Sequence, residues 1–277
     1  MELIKAHLVY FSPTSTSKQV AQAIVHGTGA ENISVTDITH HSPGEVNIPS
    51  DTLTVIAVPV YGGHVAPLAM ERLQNIRGDN TPAVLVVVYG NRAYEKALME
   101  LDQFAIRHGF SVIAGATFVG EHSFNTQENP ISAGRPDEDD LELARQFGYS
   151  IFEKTSTATG SENLYPVDVR TIRRPRQPFF PLLGFLRKVI ALRKSGIPSP
   201  KTPATSEELC IHCGKCVKAC PNAAIEKGNE LFTDVSKCIR CCACVKVCPE
   251  NARTFESPMA PLLSQYFRKQ KQPQTLV

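Results

Sequence analysis

Residues 210–221 read CIHCGKCVKACP, and residues 238–249 read CIRCCACVKVCP. Cys210, Cys213, Cys216 and Cys220 each have a counterpart 28 residues on, at Cys238, Cys241, Cys244 and Cys248. All nine cysteines of the 277-residue chain fall between 210 and 248. The opening MELIKAHLVYF has one lysine and a strand-like run rather than a cleavable apolar segment. The expected compartment is therefore cytoplasmic, where thiols stay reduced and disulfides are rare. Such clustering then points to metal.

Both halves match C-x₂-C-x₂-C-x₃-C-P, the run of bacterial two-cluster ferredoxins. Three thiolates at i, i+3 and i+6 let a short looped backbone wrap three corners of one iron–sulfide cube. The fourth cysteine opens a helical turn that points away, so it serves the other cluster. The expected ligand sets are Cys210, Cys213, Cys216 and Cys248 for one 4Fe–4S cluster, and Cys238, Cys241, Cys244 and Cys220 for the second. Pro221 and Pro249 fix φ just after the fourth ligand. Zinc is the rival ligand, but zinc ribbons use two C-x₂-C pairs, and a duplicated triplet-plus-one fits that scheme poorly. Cys242 breaks the repeat, since Gly214 holds the matching place; it is expected to pack as a small apolar residue.

Residues 204–256 resemble the clostridial-type ferredoxins, a small α+β domain. Those proteins are typically acidic. Here seven Lys and Arg (215, 218, 227, 237, 240, 246, 253) balance seven acids (207, 208, 226, 230, 234, 250, 256). Long-range steering toward a basic partner should be weak, as suits a module whose main partner is already attached.

The N-terminal half has another rhythm. Apolar β-rich runs at 4–12, 33–38, 53–63, 83–91 and 111–120 alternate with segments of helical period, the last opening at RPDEDD with acids in its first turn. Continuous apolar strands separated by helices predict a five-stranded, doubly wound parallel sheet covered on both faces. Ligands of such sheets sit beyond the carboxyl ends of the strands, at the switch point.

Three loops fall there. SPTSTSK, 12–18, is packed with hydroxyls and precedes a helix, which suits either a phosphate or a plain Ser/Thr cap. It lacks the glycine patterns of ATP and dinucleotide loops. Lys18 alone is cationic, which suits one terminal phosphate. PVYGGHVAP, 59–67, carries Gly62 and Gly63, which permit φ > 0 and close backbone approach. YGNRAYEKAL, 89–98, follows the fourth apolar run.

YFSPTSTSK resembles the phosphate loop of flavodoxins, which hold FMN. The resemblance places Ser12, Thr14, Thr16 and Ser17 on the phosphate, with Ser15 where flavodoxins usually have glycine and Pro13 as a further departure. It places Pro59, Val60, Tyr61, Gly62 and Gly63 against the flavin ring, with His64 near it. Tyr89 and Tyr94 are expected to flank the ring, with Gly90 between them and Asn91 on the pyrimidine edge; the alternative for Tyr94 is a core residue of the helix that follows. With the cysteine repeat, the YGG and YGNRAY loops resemble the flavodoxin–ferredoxin fusion proteins of anaerobes. GEHSFN (120–125) and AGRPDEDD (133–140) share that likeness without an assigned role.

Between Pro166 and Pro200, eight Lys or Arg and six prolines meet one acid, Asp168. This predicts a basic linker, 158–203, containing an amphipathic helix at 178–194. Leu182, Leu183, Leu186, Val189 and Ile190 would share one face, docked on a domain in preference to an anionic membrane. The expected division is 1–157 flavodoxin-like, 158–203 linker, 204–256 ferredoxin, and 257–277 a tail without pattern. The longest apolar runs, such as VLVVV at 84–88, are far too short for a bilayer span. The expected function is a carrier relaying low-potential electrons between FMN and two clusters, to or from a partner redox protein, with no role for nucleic acid. An FMN-dependent reductase and an FMN-free docking or sensing protein are the rivals; His64 and His122 are the only acid–base candidates for the reductase.

Overall fold

The computed structural model describes residues 5–157, 164–196 and 199–277. The first position of the expected 4–12 strand and parts of the 158–203 linker lie outside the described residues. In chain order the first half comprises β1 (Lys5–Tyr10), α1 (Thr16–Gly27), β2 (Asn32–Asp37), β3 (Val46–Ile48) and β4 (Thr52–Tyr61). It continues with β5 (His64–Val65), α2 (Pro67–Leu73), β6 (Ile76–Gly78), β7 (Thr81–Tyr89), α3 (Ala97–Arg107), β8 (Phe110–Val119) and α4 (Glu138–Thr157). Then come α5 (Phe179–Lys194), β9 (Ala204–Thr205), α6 (Lys215–Ala219), α7 (Ala243–Lys246), β10 (Arg253–Thr254), α8 (Ala260–Tyr266) and β11 (Gln274–Leu276).

The chain divides into two compact units. One takes the described residues of 1–120, 134–175 and 271–277; the other takes those of 121–133 and 176–270. These units interleave along the chain, where the sequence predicts four consecutive blocks.

In the first unit five parallel strands run in the order β2-β1-β4-β7-β8. Counted among themselves these are 2-1-3-4-5, the flavodoxin-like doubly wound order. Nine consecutive buried residues in β7, TPAVLVVVY, show why the run is continuous rather than alternating: helices cover both faces. α1 and α4 close one face, with Val20, Ile24, Phe147 and Ile151 against Leu8, Val55 and Val86. These two helices meet at glycines. A Cβ on Gly27 would lie 2.0 Å from the Arg145 carbonyl oxygen, and one on Gly148 would lie 2.1 Å from that of Ile24. α4 opens on a buried ion pair: the Arg135 guanidinium meets the Asp140 carboxylate, both nearly inaccessible. The 257–277 segment, without pattern in the sequence, supplies β11, which pairs antiparallel with β8 as a sixth strand on that edge.

In the second unit the helix expected at 178–194 spans Phe179–Lys194. Its apolar residues divide between two faces rather than sharing one. Leu182, Phe185 and Val189 pack with Leu263, Phe267 and Ile131, while Leu183, Leu186 and Ile190 stay exposed. Residues 121–125 of the GEHSFN segment belong to this unit. Phe124 stacks on Phe255 at 5.1 Å, and the Glu121 carboxylate pairs with the Lys246 ammonium. Among the described residues no helix is long and apolar enough to cross a membrane.

Gly148→Ala must push backbone against backbone, which no rotamer change relieves. We expect a loss of about 1–3 kcal/mol of stability, read as a lower denaturant midpoint of the first unit. Wild-type stability in this variant would show that the two helices can part freely.

Candidate metal centres and anion loop

The cysteine repeat is a repeat of backbone as well as of sequence. His212 and Arg240 (φ 52° and 57°), Gly214 and Cys242 (69° and 58°), and Ala223 and Asn251 (46° and 50°) occupy the left-handed region in pairs. Each pair is 28 apart (240 − 212, 242 − 214, 251 − 223). Gly214 and Cys242 are the residues on which α6 and α7 begin. Cys242 therefore adopts a strained conformation because the duplicated loop demands it, and glycine meets the same demand without strain in the other half. The two-stranded ladder β9–β10 joins the ends of the module, and Ser206 N–H donates to the Ala252 carbonyl at 2.8 Å.

Two cavities lie in this module. Cys210, Cys213, Cys216 and Cys248 line one of ≈ 350 Å³. Cys220, Cys238, Cys241 and Cys244 line the other, of ≈ 320 Å³. The fourth cysteine of each run thus lines the cavity of the other. All nine cysteines are free. Burial pushes the thiols of Cys241 and Cys244 up, to about 12 and about 11, and raises Cys216 and Cys238 as well. Ligation must displace those protons, so loading is expected to release acid. Among the described residues no His, Cys, Asp or Glu triplet converges as a single ion requires. Four sulfurs spread round each cavity fit a polynuclear cluster better than one zinc. Cys242 is 2 % exposed, lines the second cavity, and lies 3.7 Å from the Arg240 carbonyl oxygen.

The hydroxyl loop sits where β1 ends and α1 begins. Ser15 is left-handed (φ 66°), the conformation for which flavodoxins use glycine, and it gives α1 no side-chain cap. Ser12 caps the helix in its place, since its Oγ accepts from Lys18 N–H in the first turn. Ser12 is turned inward: its N–H donates to Thr39 Oγ1 at 2.9 Å and its Oγ accepts from Lys18 N–H at 3.0 Å. Ser17 Oγ is buried with no partner, a hydroxyl free for an anion. Thr14 and Thr16 are half-buried and Ser15 is exposed. Lys18 Nζ lies 5.7 Å from the centre of the Tyr10 ring.

Gly62 and Gly63 (φ 62° and 89°) form the turn of the β4–β5 hairpin, in which Val60 pairs with Val65 and Tyr61 with His64. Pro59 precedes it, its carbonyl accepting from Ala66 N–H at 3.1 Å. One carboxylate fastens this hairpin: Glu100 bonds His64 Nδ1 at 2.5 Å and Val65 N–H at 3.0 Å.

The third loop departs from the sequence expectation. Tyr89 and Tyr94 are 2 % and 3 % exposed and meet edge to face at 5.6 Å. The Tyr94 hydroxyl donates to the Ile172 carbonyl at 3.1 Å. Two rings buried in each other cannot sandwich a flavin. The residues 164–175, far along the chain, supply the cover that no local pattern announces. Asn91 is 1 % exposed, and its Oδ1 accepts from Lys271 N–H at 2.8 Å, so it anchors the returning tail instead of a pyrimidine edge. Gly90, between them, accepts from Arg92 N–H at 2.8 Å.

His122 is no acid–base group either. Its Nδ1 accepts from Phe124 N–H at 3.0 Å, which puts the proton of a neutral ring on Nε2. Burial, with the Lys246 ammonium adding to it, pushes its pKa down to about 4.

Comparison with known proteins assigns residues 203–249 to a 4Fe-4S dicluster domain. No curated protein matches the chain. Among solved structures, a flavodoxin from the domain Archaea is 14 % identical, covers 55 % of this chain and 99 % of its own, with a TM-score of 0.34. The Streptococcus pneumonia TIGR4 flavodoxin is 17 % identical, covers 53 % and 97 %, and scores 0.38. A rubredoxin oxygen:oxidoreductase from the anaerobe Desulfovibrio gigas is 12 % identical, covers 56 % and 37 %, and scores 0.39.

Crossed ligation gives a sharp expectation for Cys248→Ser. The cavity that loses this ligand is that of Cys210, Cys213 and Cys216, so one intact cluster should remain and iron should fall by about half. Iron analysis and electron paramagnetic resonance read this directly; loss of the signal belonging to Cys238, Cys241 and Cys244 instead would refute the crossing. For His122, the folded pKa lies below the unfolded one. Its contribution to stability is present above the ordinary value near 6.5 and is lost as pH falls toward about 4. A ring titration by NMR should find it neutral at pH 5.

Proposed function

We propose that the chain is an electron carrier that passes electrons between a bound FMN and two 4Fe–4S clusters, and onward to or from a partner redox protein. The observation that carries this is the pair of four-cysteine cavities on a chain that also holds an anion loop at the switch point of a flavodoxin-like sheet. An iron–sulfur module by itself marks electron transfer; the flavin, the partner and the direction of flow are the proposal.

The residues fit a flavin mononucleotide at its phosphate end. Ser17 Oγ lacks a partner, Ser15 gives the helix no side-chain bond, and Thr14, Ser15 and Thr16 lie beside that terminus. The ring would be bordered by Tyr61, Gly62 and Gly63. FMN, when bound, exchanges one or two electrons, whereas each cluster exchanges one. Gly63 is held by its carbonyl, which accepts from Lys96 N–H at 2.8 Å, and Gly62 has open space around its Cα. Of the two, Gly62 is the peptide free to turn toward or away from a ring. Tethering flavin and clusters on one chain raises their effective concentration and removes a diffusional docking step.

The rival reductase needs a proton donor. His64 is fastened to Glu100, and His122 is neutral with Nδ1 occupied. This distribution favours a carrier over a substrate-specific enzyme.

Anaerobically prepared protein should contain FMN with about eight iron atoms and as many sulfides. Colourless protein holding zinc would end the proposal, and iron without flavin would leave only its cluster half. Gly62→Ala should load FMN yet shift its one-electron potentials, because alanine is strained at φ 62°; a redox titration with unchanged potentials would remove this hairpin from the flavin site.

A further inference from the structure

The 28-residue offset of the repeat sets Arg253 opposite Ile225. Ile225 does what the position asks: it is buried with Cys216 and Cys244 in an apolar cluster. Arg253 is equally buried, 2 % exposed, and is among the largest enclosed side chains of the chain. Its Nη1 donates to the Glu230 carbonyl at 2.7 Å and its Nη2 to Thr233 Oγ1, both uncharged acceptors. Its Nε is buried with no partner. The Glu230 carboxylate is engaged elsewhere, by His212 Nδ1 at 3.0 Å and Gly228 N–H at 3.0 Å.

A guanidinium stays charged, and a buried cation without an anion is strongly unfavourable. What surrounds this one is sulfur. Arg253 lines the cavity of Cys210, Cys213, Cys216 and Cys248. Its positive charge works against the burial that raises the thiols of Cys216 in that set and of Cys244 in the other.

We propose that Arg253 is a buried counter-cation shared by the two clusters, a positioning residue that raises the reduction potential of both. The inference rests on the cluster reading above. A cluster with four thiolates is anionic, and reduction adds one electron, hence one negative charge, with no bond made or broken and no proton moved. A fixed cation on its ligands stabilises the reduced form more than the oxidised one. Because its charge acts on one ligand of each set, its loss affects both clusters. An isoleucine at this position, as in the first half of the repeat, would supply packing without charge.

The test compares wild type with Arg253→Ile and Arg253→Lys, each loaded anaerobically with iron and sulfide and titrated by electron paramagnetic resonance. Arg253→Ile should keep its iron. At a fixed ambient potential the reduced-to-oxidised ratio of both clusters should fall about tenfold, or about 59 mV for a one-electron couple. Arg253→Lys keeps the charge and should fall less. Full iron with unchanged ratios overturns the proposal, as does a fall confined to one cluster. Should the isoleucine variant not hold iron, wild-type protein carrying ¹⁵N-labelled arginine decides. Pulsed resonance should detect guanidinium nitrogen coupling on both reduced clusters, and its absence from either defeats the shared role. Wild type without iron removes the cluster reading and this inference together.

Discussion

The second unit depends on the crossing of the fourth cysteines. Cys220 and Cys248 each leave the run that contains them and line the other run's cavity. Neither half of the repeat lines a four-cysteine cavity alone. Short helices of five and four residues have little stability of their own. Their order must come from the ligand framework, the β9–β10 ladder and the few apolar contacts of Ile225, Val217 and Val245. The thiols raised by burial show the cost of that arrangement without metal, because they stay protonated until iron replaces the proton.

The first unit answers a different constraint. A parallel sheet needs long crossovers, and those crossovers bury both faces. The free space for a ligand is then pushed to the strand ends, where β1, β4 and β7 deliver the three loops. Only two of these remain available. The hydroxyl loop keeps Ser17 unpartnered, and the glycine hairpin is fastened by Glu100. The third is occupied by the chain itself, through Ile172 over Tyr94 and Lys271 on Asn91.

What could be read in advance follows the range of the interactions. The gathering of the cysteines round two cavities was legible because a fixed spacing and a 28-residue repeat encode it locally. The sheet order was legible because continuous apolar strands leave few topologies. Tyr89 and Tyr94 were misread because an aromatic pair in a loop looks the same whether it faces a ligand or a residue 78 positions away. Their cover comes from 164–175, where composition is basic and Pro-rich and gives no periodic signal. The two-faced nature of α5 was hidden for a similar reason: Leu182 and Leu183 belong to one apolar stripe until α8 selects one of them. Arg253 had a readable signal, the break in the repeat opposite Ile225, but its meaning needed the burial.

Segments 121–133 and 271–277 carry the same lesson into the organisation of the chain. The first brings Phe124 to Phe255 and Glu121 to Lys246 within the second unit. The second returns β11 to the edge of β8 in the first. A simple fusion would join its parts through one linker, leaving each free to diffuse on a single tether. Here the chain passes between the units at 120–121, 133–134, 175–176 and 270–271. Four connections therefore join the units where a simple fusion would have one. An edge strand such as β11 also blocks the β8 edge from pairing with another chain.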